Sequence, residues 1–385
     1  MQVSRNHATG IERHFGEYIP SNYKPNRPLA KRIKNFTKAY QSWFVPYLKS
    51  CVNGTSFHPL LSFLYTDLNC NLNCSYCFSR GRDIPGMPME MARDAVDWLH
   101  ARGCRVLAYM GGEPLVRPDF IIELTRYAVS KGFFVYLPTN GILMDKAFIE
   151  EIGRAGIATI NLAVDCLEPR AGLVKALNRI EPQFEYLVER EKHYGYITFL
   201  NINITRDNID DVKTLTEIAH RYGIATDYHI NEPPLVEYEN YTHKDRGGWI
   251  TRDEEREVDE LVDWLIDKHQ QHYTMVNSVA HLRAMKSFIR HKLPSWPCRA
   301  GELSMVIRLD GSFSPCFELC GAAEDWGNLY EGAKFDQAKL SQMKQTCSGR
   351  CLSTCNFQVC HYAGSIRHVF QWLAKHASAH TFGVS

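Results

Sequence analysis

Thirteen cysteines stand among the 385 residues of this chain, and they are unevenly spread. Three of them, Cys70, Cys74 and Cys77, fall within the stretch DLNCNLNCSYCFSR in a C-x3-C-x2-C arrangement. Seven more, Cys298, Cys316, Cys320, Cys347, Cys351, Cys355 and Cys360, crowd the C-terminal part. Clustered thiols form disulfides in oxidising compartments and bind metal or do redox chemistry in reducing ones. The N-terminus MQVSRNHATGIERHFGEY has no apolar leader segment, and no apolar run is long enough to span a membrane. The expectation is therefore a cytoplasmic protein whose clustered cysteines bind metal. Cys51, Cys104 and Cys166 stand alone and read as small buried hydrophobes.

A structural zinc site takes four protein ligands, and a cubane that only carries electrons takes four cysteines. Three thiolates on one loop can hold three irons of a cubane and leave the fourth open to a ligand that is not protein. In the tail, a zinc knuckle made by the last four cysteines stands as the alternative to iron–sulfur ligation.

The elements that must position these residues follow from periodicity. Short β-branched and aromatic runs at 60–66, 105–110, 133–138, 157–164, 196–204 and 224–230 alternate with helical segments near 88–102, 118–131, 145–154, 172–193 and 208–222. Strands alternating with helices imply βαβ units and a parallel sheet. Six such units suit an open, partial barrel. Three strands carry polar residues at period two: Thr159, Asn161, Ala163 and Asp165; Asn201, Asn203 and Thr205; Asp227, His229 and Asn231. Such faces fit strands whose inner side lines a filled cavity, with solvated edges as the bland alternative. Two further helices are expected at 251–271 and 275–291, the first opened by a capping box of Thr251 and Glu254. LDGSFSPC reads as a hairpin turning at Asp310-Gly311.

The N-terminal segment LAKRIKNFTKAYQSWF places Leu29, Ile33, Phe36, Tyr40 and Phe44 on one helical face and Lys31, Lys34 and Lys38 on the other. It reads as a helix packed on the barrel or, more sharply, as one that touches a membrane surface through residues 29–44. A composition of 45% hydrophobic and 23% charged residues is ordinary for a globular protein with a real core. A net charge of +1 offers no basic field for nucleic acid.

CNLNCSYC, with Tyr76 just before the third cysteine, resembles the signature loop of the radical S-adenosylmethionine enzymes. MGGEP at 110–114, directly after the second strand, is similar to that superfamily's GGE motif. The resemblance covers residues 58–235 and implies an α/β fold, a partial (βα)6 TIM-like barrel. It implies a [4Fe–4S] cluster on Cys70, Cys74 and Cys77 and bound S-adenosylmethionine. It implies cofactor contacts from Tyr76, Gly111, Gly112, Glu113, Thr139, Asn140, Asp165 and Asn203. Asp165, Asp227, His229 and Glu232 are the expected catalytic, substrate-facing groups, a hydrogen-bonded structural His being the alternative for His229. The implied chemistry is reductive cleavage of S-adenosylmethionine to a 5′-deoxyadenosyl radical that abstracts hydrogen from unactivated carbon.

The tail resembles the SPASM and twitch extensions, with Cys298, a spacer and a G-x4-C ending at Cys316. GNLYEG, around Gly327 and Asn328, also fits. Its last cysteines depart from the usual SPASM spacing, standing x3, x3 and x4 apart. Seven thiols fill one cubane and most of a second, so one or two auxiliary [4Fe–4S] clusters are implied. The expected organisation is an N-terminal extension (1–57), the barrel (58–235), a helical linker (236–296) and an iron–sulfur domain (297–385). The expected function is hydrogen abstraction from a peptide or small-molecule substrate, with net oxidation aided by auxiliary clusters. A reductant such as flavodoxin or ferredoxin would serve it, and nucleic acid would not. The alternatives are a redox-neutral radical enzyme, such as an epimerase or an adenosyl-, isoprenoid- or lipid-modifying enzyme at a membrane surface, and a non-catalytic iron–sulfur or zinc module.

Overall fold

In a computed structural model the protein is described over residues 58–77, 84–230, 254–319, 324–347 and 349–363, with Glu232, Ile250 and parts of 30–53. A helix, α1 (Val45–Asn53), precedes a regular alternation. It runs β1 (Leu61–Asp67), α2 (Met89–Ala101), β2 (Val106–Gly111), α3 (Pro118–Ser130), β3 (Phe134–Thr139), α4 (Lys146–Ala155), β4 (Thr159–Ala163), α5 (Glu181–Tyr194), β5 (Ile197–Ile204), α6 (Ile209–Tyr222) and β6 (Ala225–Ile230). Helices α7 (Glu255–Gln270) and α8 (Val279–Ile289) follow. Then come β7 (Ser304–Ile307), β8 (Phe313–Ser314), the small hairpin β9 (Gly327–Asn328) and β10 (Gly332–Ala333), and helices α9 (Gln337–Cys347) and α10 (Thr354–Ala363).

Strands β1 to β6 lie parallel and in sequence order, as the βαβ pattern predicts. The sheet does not stop at β1. Strand β7 pairs parallel with β1 and β8 pairs antiparallel with β7, so one eight-stranded sheet runs β6-β5-β4-β3-β2-β1-β7-β8. The tail hairpin turning at Asp310-Gly311 thus extends the barrel wall, with Ile307 opposite Phe313.

Each strand buries both faces, which is why the runs read as nearly continuous hydrophobic stretches. The outer face, with Leu64, Leu107, Val135, Ile160, Leu200 and Tyr228, packs on Leu99, Ile121, Ile152, Leu187 and Leu215 of the helices. The inner face carries Phe63, Tyr65, Val106, Phe134, Ile197 and Phe199, and Phe44 and Tyr47 join that cluster from the N-terminal segment. The polar period-two positions lie along the same inner side. Asn161, Asn201, Asn203, Asp227 and His229 are half-buried between fully buried neighbours, which matches the expected lumen wall. Thr159 and Thr205 are buried, and Asn231 lies outside the described residues.

Three expectations change. The helix read at 172–193 begins only at Glu181, because Pro182 fixes its first turn, and residues 172–180 form a loop with one short 3-10 turn at Leu177–Arg179 instead. The amphipathic face of the N-terminal segment is broken: Ile33 is 58% and Tyr40 38% exposed, whereas Lys38 reaches inward and donates to the Gly156 carbonyl at 2.9 Å. A wide π-turn at Tyr40–Phe44 rotates the residues after it out of phase, so Phe44 and Tyr47 face the barrel while Tyr40 does not. Ile33 and Tyr40 are thus not packed on the barrel, and Leu29, Lys31 and Phe36 of the segment 29–44 lie outside the described residues. Glu254 occupies the N-cap of α7 without a side-chain cap bond, and its expected partner Thr251 lies outside the described residues.

Candidate active site

The cysteine loop leaves the C-terminal end of β1. Asp67 turns the chain there, accepting the backbone and side-chain amides of Asn69 at 2.8 Å each. Beside it runs the Gly-Gly-Glu segment at the end of β2. The Gly112 amide donates to the Asp67 carbonyl at 2.9 Å and the Glu113 amide to the Asn69 carbonyl at 2.8 Å. A Cβ at Gly111, whose φ is +133°, would stand 1.7 Å from the Asp67 carbonyl oxygen, and one at Gly112 2.1 Å from that of Asn69. The close approach expected of these glycines is thus made to the backbone of the cysteine loop.

Glu113 is 2% exposed. One carboxylate oxygen accepts the Thr139 hydroxyl at 2.6 Å and the Leu115 amide at 2.9 Å; the other accepts the Asn140 amide at 2.7 Å. Burial pushes its pKa up against these bonds. The Asn140 side-chain amide donates to the Asn71 side chain at 2.8 Å, on the cysteine loop. Glu113, Thr139 and Asn140 therefore form one brace that ties the ends of β2 and β3 to the loop.

A second brace comes from β4. Asp165 is buried and accepts the Tyr76 hydroxyl on one oxygen and the Asn203 amide at 2.9 Å on the other. Burial raises its pKa. Lys175, in the loop first read as helix, sets its ammonium 5.3 Å from the centre of the Tyr76 ring. Burial disfavours that charge, but Asp165 and then Cys74, Cys77 and Cys70 outweigh it, so the lysine is held protonated. Ser75 donates to the Gly172 carbonyl at 3.3 Å and closes the same loop over the cysteines. Lys175 was not legible as a site residue, because a lysine in RAGLVKALNR looks like the solvated face of a helix.

Cys70 is exposed, Cys77 intermediate and Cys74 buried, its thiol pushed up to about 11 by burial. Cys77 raises the pKa of both Cys70 and Cys74, and Cys70 that of Cys74, so the three stand close enough to feel one another. Among the described residues no three of His, Cys, Asp or Glu converge tightly enough to hold a single metal ion. A cubane takes one thiolate at each corner, and the donor set here (three coupled thiols and a neighbouring ammonium) fits a negatively charged cluster.

On the lumen wall, His229 Nε2 lies 3.3 Å from Asp227 Oδ2. Burial works against the imidazolium, but the Asp227 carboxylate outweighs it and raises the pKa. The other Asp227 oxygen is buried with no hydrogen-bond partner among the described residues. Glu232 does not share this orientation. Its carboxylate accepts the Leu352 and Ser353 amides at 3.0 and 3.3 Å, between Cys351 and Cys355. It ties the end of β6 to the tail, and two amides aimed at one oxygen leave it little freedom to serve substrate.

The tail thiols divide by position. Cys298 packs with buried Cys316 and Leu319, and the Arg299 amide donates to Cys360 Sγ at 3.1 Å. A hydrogen bond between Cys298 and Cys360 lowers the pKa of the first and raises that of the second. Cys355 lies five residues from Cys360 on α10, about 140° around the helix, and joins the inner cluster with Tyr65, Val359 and Phe317. Cys351 is buried and Cys347 intermediate. Cys320 lies outside the described residues. Glu318 neighbours Cys351, Cys355 and Cys347 electrostatically, and its Oε2 is buried without a partner among the described residues.

Residues 68–243 match the family model described as the radical SAM superfamily, so this part of the chain is a radical SAM domain. With it come a [4Fe–4S] cluster and S-adenosylmethionine as cofactors, and the residues above fit them. The chain is 28% identical over 171 residues to an AdoMet-dependent heme synthase of Methanosarcina barkeri, an overlap of 42% of this chain and 47% of that protein. It is 25% identical over 279 residues to the AdoMet-dependent heme synthase of Oleidesulfovibrio alaskensis, covering 68% and 69%. The chain thus spans about half the length of the first of these relatives and about two thirds of the second. Its fold is shared with SuiB of Streptococcus suis bound to the precursor peptide SuiA, at a TM-score of 0.59 and 17% identity over 78% of this chain and 70% of that one.

Proposed function

We propose that this enzyme abstracts a hydrogen atom from a small organic molecule held in the barrel lumen, with the electron left on the substrate passing to an auxiliary [4Fe–4S] cluster that the C-terminal thiols would hold. When bound, the cluster and S-adenosylmethionine supply the carbon-centred radical that takes the hydrogen. This chain's own residues do the rest. The Glu113 and Asp165 braces hold the cysteine loop, Lys175 balances its charge and offers a cation to a cosubstrate carboxylate, and Asp227 with His229 can accept a proton from the oxidised substrate. An electron donor such as a flavodoxin or ferredoxin reaches the first site on the exposed side at Cys70, Asn71 and Asn73.

The observation that carries the reading is the place of Cys355. The tail brings it into the inner apolar cluster of the barrel, alongside Asp227. Substrate chemistry in the lumen and the tail thiols are therefore neighbours, as transfer of a leftover electron to an auxiliary site requires. A small molecule is favoured over a peptide because the relatives similar in sequence are named heme synthases, whereas likeness to the peptide-bound SuiB is one of fold. The test is anaerobic turnover of the reconstituted protein with candidate substrates, counting 5′-deoxyadenosine, product and electrons consumed. One 5′-deoxyadenosine per oxidised product supports the reading. Substoichiometric 5′-deoxyadenosine with an isomeric product would replace it with the redox-neutral one.

A further inference from the structure

Strand β7 brings one charged side chain to the barrel that the reaction described so far does not use. Val306 pairs with Phe63, and both belong to the inner cluster; Ile307 pairs with Leu64, and both belong to the outer one. Arg308 follows with its backbone still bonded across the β7–β8 hairpin, so period two carries one residue further and returns it to the inner side, at the same end of the sheet as the cysteine loop. Its backbone is fixed: its amide donates to the Ser312 carbonyl at 2.8 Å and its carbonyl accepts the Gly311 amide at 3.0 Å. Tyr65 stacks against Phe317 at 6.2 Å, so this part of the wall is aromatic and apolar.

Two nitrogens of the guanidinium, Nε and Nη2, are buried and find no acceptor among the described residues. The other arginines on the core of the sheet show the contrast. Arg117 donates to the Met87 and Thr66 carbonyls and pairs with Asp67, and Arg105 donates to two carbonyls. Burying two guanidinium nitrogens without a partner is costly, because their lost hydration is not returned. Nε and an Nη together form the fork that grips a carboxylate through two parallel hydrogen bonds.

We infer that Arg308 is the anchor for a carboxylate of the substrate, held at the β7 edge of the barrel opposite Asp227 and His229 on β6. The sheet order makes β6 and the β7–β8 hairpin the two sides of the opening. A molecule spanning them would place its carboxylate on Arg308 and its reacting carbon between, over the cysteine loop. The substrate class is thus an organic acid, and the inference rests on the small-molecule reading above.

The test needs no turnover. Reconstituted full-length protein is melted anaerobically with propionate or with propionamide at matched ionic strength, using the parent, Arg308→Met and Glu318→Gln. The expected result is a saturable rise in the melting midpoint with propionate and none with propionamide, lost in Arg308→Met and kept in Glu318→Gln. Arg308→Met alone should melt at or above the parent, since it removes two buried donors that have no partner among the described residues. The inference is overturned if propionate protects the parent and Arg308→Met equally, or protects neither. It is also overturned if Arg308→Met and Glu318→Gln both lower the midpoint, which would make the arginine the structural partner of that glutamate. Because only binding is read, failure of the proposed oxidation leaves this result standing, and the reverse holds too.

Discussion

Gly112→Ala is the sharpest probe of how the cysteine loop is held. The added methyl would sit 2.1 Å from the Asn69 carbonyl oxygen and 2.7 Å from that of Leu68. Relieving this takes a retreat of about 1 Å between two backbone segments. Forced overpacking costs about 1–3 kcal/mol. The same retreat breaks the amide bonds from Gly112 to Asp67 and from Glu113 to Asn69, at about 1 kcal/mol each. The total, about 3–5 kcal/mol, is less than the roughly 5–15 kcal/mol that hold a domain together. The barrel should therefore stay folded while the loop loses its seat. The assay is iron and acid-labile sulfide after anaerobic reconstitution, beside a thermal melt. Gly112→Ala should lack about four irons, one cubane, keep the tail's iron and fail to cleave S-adenosylmethionine. Gly132→Ala is the control: it has a positive φ of 81° but open space around it, so it should cost about 1 kcal/mol of stability and no iron. Full iron and parental cleavage in Gly112→Ala would refute the claim that the glycines serve the loop's backbone.

Three further outcomes follow from the same geometry. Glu113→Gln keeps one acceptor oxygen but turns an NH2 toward a backbone donor, costing about 1–3 kcal/mol; Glu113→Ala strands the donors of Thr139, Asn140 and Leu115 and should lose more, read as melting midpoint and S-adenosylmethionine affinity by equilibrium dialysis, and unchanged values in both variants would remove the brace. Burial depresses Lys38 from 10.5 to about 8; the unfolded chain then binds more protons between those values, so stability should rise as pH climbs from about 8 towards 10.5, by at most about 3 kcal/mol, and Lys38→Met should flatten that rise in melts across pH. Cys316→Ala should still form 5′-deoxyadenosine while product collapses, because radical generation needs only the first site; a normal product yield with normal iron would make the tail a merely structural appendage.

The sheet was legible because its six strands are apolar runs at regular spacing, and every strand of the barrel falls within two residues of its run. The cysteine loop and the GGEP turn were legible because three thiols and two adjacent glycines are rare in one place. What periodicity could not reach was long-range and irregular. Strand β7 is four residues long and adds to β1 across more than 230 positions of chain, a pairing no local pattern encodes. Lys175 sits in a loop whose leucines and alanine mimic a helix, and only Pro182 marks the true start. Glu232 was placed with Asp227 and His229 by proximity in sequence, but the strand ends at Ile230, so strand parity no longer governs where its side chain points.

These long-range features share one consequence. Among the contacts that join the tail to the barrel, β7 lies parallel on β1 at one side, and Glu232 accepts the amides that precede α10 at the other. The two joints fall at opposite sides of the opening in the strand order. A helix held between them cannot move far without breaking one, so Cys355 on α10 keeps its place beside the lumen. Had the tail been tethered by a linker alone, any transfer between the lumen and the tail thiols would depend on docking. Here the distance is set by the same sheet that positions Cys70, Cys74 and Cys77. Glu232 is therefore a positioning residue in this scheme. Its loss should leave the first cluster intact and uncouple 5′-deoxyadenosine from product, and Glu232→Gln, which still offers one oxygen to the two amides, should restore coupling where Glu232→Ala does not.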